Sequence, residues 1–199
     1  MEWTAWEGSW ERDWCGPDEF REVIQIGLLA LHDEDEFPEI DATQFLVRPT
    51  LNPTLSDYII NLTGITQRDI DIGSMPLHAA LSATEDFISD AATVYSFGRD
   101  GEILQGNCDR VGVPFQLPPE LFQNAVPEIA AFTERPGSEL MSSRLPEIIG
   151  FPSPGQAHDA LSDCRCIAET FRIMRRAGAF PAPAGEVAIS AEAPFNHAP

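Results

Sequence analysis

At 199 residues the chain can bury one substantial core and is too short for two ordinary domains. With 43% apolar residues and no run long enough to cross a bilayer, it is expected to be one soluble folded domain with no membrane partner. The net charge of −20, with all 12 basic residues arginines, argues against a long electrostatic footprint on nucleic acid.

Met1-Glu2-Trp3 opens without a basic or apolar leader, so a cytoplasmic location is expected. Cys15, Cys108, Cys164 and Cys166 show no zinc spacing. A Cys-x-Cys pair on a helix points its thiols to nearly opposite sides, so four reduced thiols are expected.

In chain order, residues 5–20 are rich in Trp, Gly and charge, with Gly16-Pro17 near the end, and predict a long loop. Glu22 to Leu31 is apolar and β-branched, the pattern of a strand buried on both faces. Across the acidic, solvated Asp33-Glu34-Asp35-Glu36, Thr43 to Arg48 pairs back as the second arm of a hairpin that Pro49 closes. Pro53 and Ser56 open a short helix through Leu62 that Gly64 ends, and a second helix runs from about Pro76 to Ile88. Ala92 to Phe97 predicts a third core strand. A helix follows from about Asp100 to Val111, with Gly112 as its stop.

Proline recurs between Pro114 and Pro154, where short helices are expected near Glu120 to Asn124 and Ser138 to Leu145. The clearest helix carries Ala160, Leu161, Cys164, Ile167, Ala168, Phe171 and Met174 at helical spacing, with Arg172, Arg175 and Arg176 complementing its C-terminal dipole. The folded domain is expected to span 1–180, and the Pro- and Ala-rich residues 181–199 to be a disordered tail. Alternating strands and helices predict an α/β fold with a mixed sheet flanked by helices. A first strand should precede the Trp-rich loop, and Met1 to Thr4 supply only a truncated one.

Four residues carry chemistry. Asp163 lies about 80° from the centre of the last helix's apolar stripe, so its carboxylate can reach the sheet edge without being stranded in the core. His158 stands five residues earlier, before or at the helix start, where a loop can swing it over the same spot. Asp159 beside it is a candidate cap. Asp100 follows the third strand through Gly98-Arg99, at the carboxyl end where open sheets bind ligands, although an Asp there can equally be an N-cap. Glu2 says nothing in isolation.

Jointly these residues resemble the DEDDh branch of 3′-to-5′ exonucleases, over roughly residues 2–177. Glu2-Trp3-Thr4-Ala5-Trp6-Glu7 is similar to the tail of the family's first Asp-x-Glu motif, and Glu22-Val23-Ile24-Gln25-Ile26-Gly27 to its following strand. Phe45-Leu46-Val47-Arg48-Pro49 and Leu62-Thr63-Gly64-Ile65-Thr66 are similar to two further segments. Ser96-Phe97-Gly98-Arg99-Asp100 resembles the second motif with its Gly-to-Asp spacing one residue short, and His158 with Asp163 the third. The similarity is greatest to the branch that trims RNA 3′ ends.

The resemblance implies an RNase H-like fold and two Mg²⁺ or Mn²⁺ ions held by Glu2, Asp100 and Asp163, with His158 as general base. It also implies that Thr4, Ala5, Leu62, Thr63, Gly64 and Ile65 hold the terminal nucleotide, and that the partner is the 3′ end of RNA or single-stranded DNA. Gripping only a strand's end reconciles this with the acidic charge. The family's first Asp would stand directly ahead of Met1, so a start further upstream is expected, with impaired activity in its absence. Two other readings remain: a non-catalytic nucleic-acid-binding scaffold on the same fold, and a hydrolase of small nucleotides.

Overall fold

The structure is a computed structural model and describes residues 1–34, 36–117 and 121–180. The expected tail 181–199, Asp35 of the acidic loop and Glu120 lie outside the described residues. Glu2–Trp3 forms β1, Val23–Leu31 forms β2 and Glu39–Val47 forms β3. β1 pairs with β2 antiparallel, placing Glu2 opposite Gln25 and Trp3 opposite Val23. β2 and β3 make the expected hairpin, with Ile26 opposite Phe45. Its far arm begins earlier than its apolar residues suggest, because pairing with β2 carries the strand back to Glu39. The buried Glu22 carboxylate accepts hydrogen bonds from the backbone amides of Thr50, Leu51 and Asn52, which fixes the chain as it leaves β3.

Helix α1, Asp57–Thr63, is capped by the Ser56 hydroxyl and ends on Gly64 at φ 76°, the left-handed conformation glycine adopts without cost. α2, Gln67–Gly73, was not expected. A capping box between Thr66 and Asp69 starts it, and it leads into β4, Ser74–Met75, which adds a parallel strand beside β3. α3, Leu77–Phe87, follows as expected.

β5, Val94–Ser96, departs from expectation: it is three residues long and belongs to a separate two-stranded sheet, parallel to β6, Phe122–Asn124. Tyr95 is 39% exposed, so Ala92 to Phe97 is not a core strand of the main sheet. β5 takes β6 as its partner and does not join the four-stranded sheet. The helix expected near Glu120 to Asn124 is therefore β6 where it is described, since pairing with β5 overrides a weak local preference.

α4, Asp100–Val111, ends on Gly112 as expected. α5, Val126–Thr133, was not expected, and the region from Ser138 to Leu145 is two 3₁₀ turns, Gly137–Glu139 and Ser142–Arg144, leading into α6, Leu145–Ile149. α7, Ala160–Arg176, is the long C-terminal helix. Arg172 and Arg175 donate to the carbonyls of Glu36, Phe37 and Glu34, so the end of α7 holds the loop of the β2–β3 hairpin.

Among the described residues the core has three parts. Val23, Ile26 and Val47 of the sheet meet Leu77, Ala80 and Leu81 of α3 and Leu104 of α4. Ile129, Leu145, Phe171 and Met174 join α5, α6 and α7, and Ile24 meets Trp14, Ile59 and Ile70 under the Trp-rich loop. All four cysteines stand unbonded. Among the described residues no helix is long and apolar enough to cross a membrane.

Candidate active site

The start of α7 is held at the sheet by two glutamines. Gln25 of β2 accepts a hydrogen bond from the Ala160 amide at 2.9 Å, and Gln44 of β3 accepts one from Leu161 at 2.8 Å. These are amides a helix N-terminus leaves without partners. The Asp159 carboxylate caps the helix through Ser162 N and also accepts from the amide groups of both glutamines. Burial alone would raise its pKa, but these hydrogen bonds hold it below the usual carboxylate range. Gly27 completes the contact: a Cβ there would stand 2.5 Å from Leu161 N and 2.6 Å from Ala160 C. Sequence reasoning missed Gln25 and Gln44 as site-forming residues, although a polar side chain in a buried strand was the available signal.

This clamp fixes where His158 and Asp163 stand. His158 takes φ 58°, an unusual conformation for a side-chain-bearing residue, immediately before the cap. Asp163, 9% exposed, accepts from the Ser142 hydroxyl at 2.8 Å through Oδ2, while its Oδ1 is buried with no hydrogen-bond partner. Burial pushes its pKa up; Ser142, the Met1 ammonium and His158 act the other way.

Asp100 is the first residue of α4, and the cap position belongs to Arg99, so Asp100 is not spent on capping. Its Oδ2 instead accepts from the Met1 ammonium at 3.4 Å. That ammonium is pulled down by burial, but Asp100, Cys164 and Glu2 outweigh this and hold it at about 10. Glu2 is pushed up to about 8, by burial first and then by Asp163 and Asp100, against the lowering effect of the ammonium. Burial also raises the Cys164 thiol to about 11, which leaves it neutral and a poor nucleophile at pH 7.

Glu2, Asp100, His158 and Asp163 all line one open cleft of about 1170 Å³. Its lining also includes Ile26, Gly27 and Leu28 of β2, Val94, Tyr95 and Ser96 of β5, and Ala160 and Cys164 of α7. A set of carboxylates in which Asp163 and Asp100 push Glu2 up, and in which Asp163 Oδ1 is buried without a partner, is chemically suited to a hard divalent cation. As placed they are spread around the Met1 ammonium, and among the described residues no three His, Cys, Asp or Glu side chains are grouped to hold an ion.

Of the expected nucleotide-binding residues, Ala5 and Leu62 line the cleft. Thr4 is committed elsewhere: its hydroxyl donates to Phe20 O and accepts from Glu22 N, and its carbonyl accepts from Trp14 Nε1. Thr63 and Ile65 are buried, the Thr63 hydroxyl donates to Ile59 O, and Gly64 closes α1. Ser142 was not foreseen, and no sequence signal marked it.

Comparison with known proteins supplies the family. The nuclease domain of 3'hExo, a DEDDh family member solved bound to rAMP, superposes with a TM-score of 0.75 over 90% of both chains at 24% identity. A 3'-exonuclease solved in 3'-end specific recognition of histone mRNA stem-loop gives 0.74 at 25% identity, over 90% of this chain and 80% of that one. The cell-death related nuclease 4 (CRN-4) gives 0.71 at 22% identity, over 89% of this chain and 62% of that one. The mixed sheet flanked by helices is therefore the RNase H-like fold of the DEDDh exonucleases. The 3'-5' exonuclease eri1 of Schizosaccharomyces pombe is 46% identical over 57 residues, which is 29% of this chain and 19% of that protein. The exonuclease family RNase_T matches residues 15–171, from the Trp-rich loop to the last turns of α7, and the chain belongs to that family.

Proposed function

We propose that the protein is a metal-dependent 3′-to-5′ exonuclease that removes nucleotides from the 3′ end of RNA or single-stranded DNA. The observation that carries this reading is the convergence of Glu2, Asp100, Asp163 and His158 on one cleft of a DEDDh-type fold. Glu2, Asp100 and Asp163 would hold Mg²⁺ or Mn²⁺, whose chemistry is to stabilise the attacking and leaving oxygens of the terminal phosphodiester. His158 takes the proton of the attacking water. The bond between phosphorus and the 3′ oxygen of the penultimate nucleotide breaks, and a nucleoside 5′-monophosphate leaves. Ala5 and Leu62 bound the space for the terminal sugar and base.

The Met1 ammonium stands 3.4 Å from Asp100 Oδ2, and a positive charge there competes with a cation for that carboxylate. The 3′ ends of RNA are favoured as substrate by the relatives solved with rAMP and with a histone mRNA stem-loop. Turnover of a single strand by the unaltered chain and by Asp163→Asn, each with millimolar Mn²⁺ or with chelator, tests the proposal. Loss of nucleotide release with chelator and in the variant is expected. Release that survives both would overturn it.

A further inference from the structure

The cleft is also lined by Trp3, Trp10 and Trp14, aromatic groups that the reaction does not use. Trp10 is 52% exposed, while the neighbouring Trp14 is 6% exposed and anchored through its Nε1 to the Thr4 carbonyl. The Trp10 ring lies 4.8 Å from Trp14 at 74° and 6.4 Å from Trp3, the residue after Glu2. The Arg21 guanidinium sits over Trp14 at 4.0 Å. Trp14 already fills the core under the loop, whereas Trp10, in ring contact with Trp14 and Trp3, keeps half its surface open for a flat partner to stack on.

We infer that Trp10 is a stacking shelf for an unpaired base just upstream of the terminal nucleotide, a second subsite on the single strand whose end the cleft receives. This rests on the exonuclease reading above. The occupant is a polynucleotide because the shelf is continuous with the carboxylate site and because Arg21, Arg99 and Arg110 line the same cleft. Arg21 is paired with Asp13 and Arg99 with Glu102, so an incoming phosphate replaces one anionic partner with another. Stacking, which tolerates any base, therefore carries more of the binding than charge does.

The test compares Trp10→Ala and Trp10→Phe with the unaltered protein on an eight-nucleotide single strand and on the p-nitrophenyl ester of thymidine 5′-monophosphate, which holds one nucleotide only. For Trp10→Ala, kcat/KM on the octamer is expected to fall about 5- to 150-fold through KM, the equivalent of the ~1–3 kcal/mol of a base–aromatic stack. The ester should be cleaved as before, and Trp10→Phe should recover most of the loss on the octamer. An unchanged octamer KM in Trp10→Ala overturns the shelf while leaving the exonuclease reading intact, and an equal loss on both substrates overturns it by making Trp10 structural. If the unaltered protein cleaves neither substrate, the exonuclease reading fails and the shelf with it.

Discussion

His158 occupies the left-handed region at φ 58°, and Asp159 behind it is locked by Ser162, Gln25 and Gln44, so the imidazole is aimed by a backbone with little freedom. His158→Ala is expected to lower kcat about 10²- to 10⁴-fold with little change in substrate binding. His158→Gly, which suits the positive φ better, should match that kinetic loss with a higher melting temperature than the alanine variant. Equal loss of binding and turnover would make His158 a structural residue. Glu2 gives a pH signature. Its folded-state value, raised to about 8, means that the protonated form contributes stability fully present below about 4.5 and lost as pH rises through 8. Glu2→Gln should therefore gain stability relative to the unaltered chain on going from pH 5.5 to 8.5. Mn²⁺ affinity should climb over the same window only where Glu2 is present, and parallel pH curves for both proteins in melting and titration would contradict the assignment. His158, Asp163 and Asp100 could be singled out in the sequence because they sit at element ends, and they line the same cleft. The sequence hid Ser142, whose role exists only where its 3₁₀ turn meets α7.

The elements that position the site are β2, β3 and the start of α7, and the contact among them is backbone against backbone at Gly27. Gly27→Ala is expected to push the N-terminus of α7 off the sheet, at a cost of about 1–3 kcal/mol for the overpacking, and to lower activity with it because His158 and Asp163 ride on that helix start. Thermal melts and turnover on the same variant check this; unchanged values in both would show that the helix start adjusts freely. Long periodic elements such as α4 and α7, and the β2–β3 hairpin, could be read locally from apolar spacing and capping. β5 and β6 could not, since three-residue strands owe their existence to each other rather than to local preference. α2 is short and polar on most of its surface, and its capping box uses Asp69 where the usual pattern has Glu or Gln, so its start passed unmarked.

At the scale of the whole molecule, a chain with a net charge of −20 brings the carboxylates Glu2, Asp100 and Asp163 to the lining of one cleft, where divalent cations would neutralise them. The Met1 ammonium is the single cationic group hydrogen-bonded to that cluster among the described residues. Adding an Asp directly ahead of Met1 moves the positive charge away and supplies a carboxylate, so Mn²⁺ affinity and turnover should both rise, whereas an added Asn should move the charge without restoring the ligand. Equal turnover in the two extended forms would refute that role. The fold class was legible from the alternation of strands and helices, and the division of the described strands into two sheets was not, because it depends on β5 pairing with β6, a strand no local pattern marks. The central claim, exonucleolytic hydrolysis from the 3′ end, is tested most directly by incubating the unaltered protein with a 5′-labelled single-stranded RNA and Mn²⁺ and resolving the products by size over time. A ladder that shortens one nucleotide at a time from the 3′ end is expected, with nucleoside monophosphates released and nothing formed in chelator. An intact substrate, or internal cuts without a ladder, would contradict it.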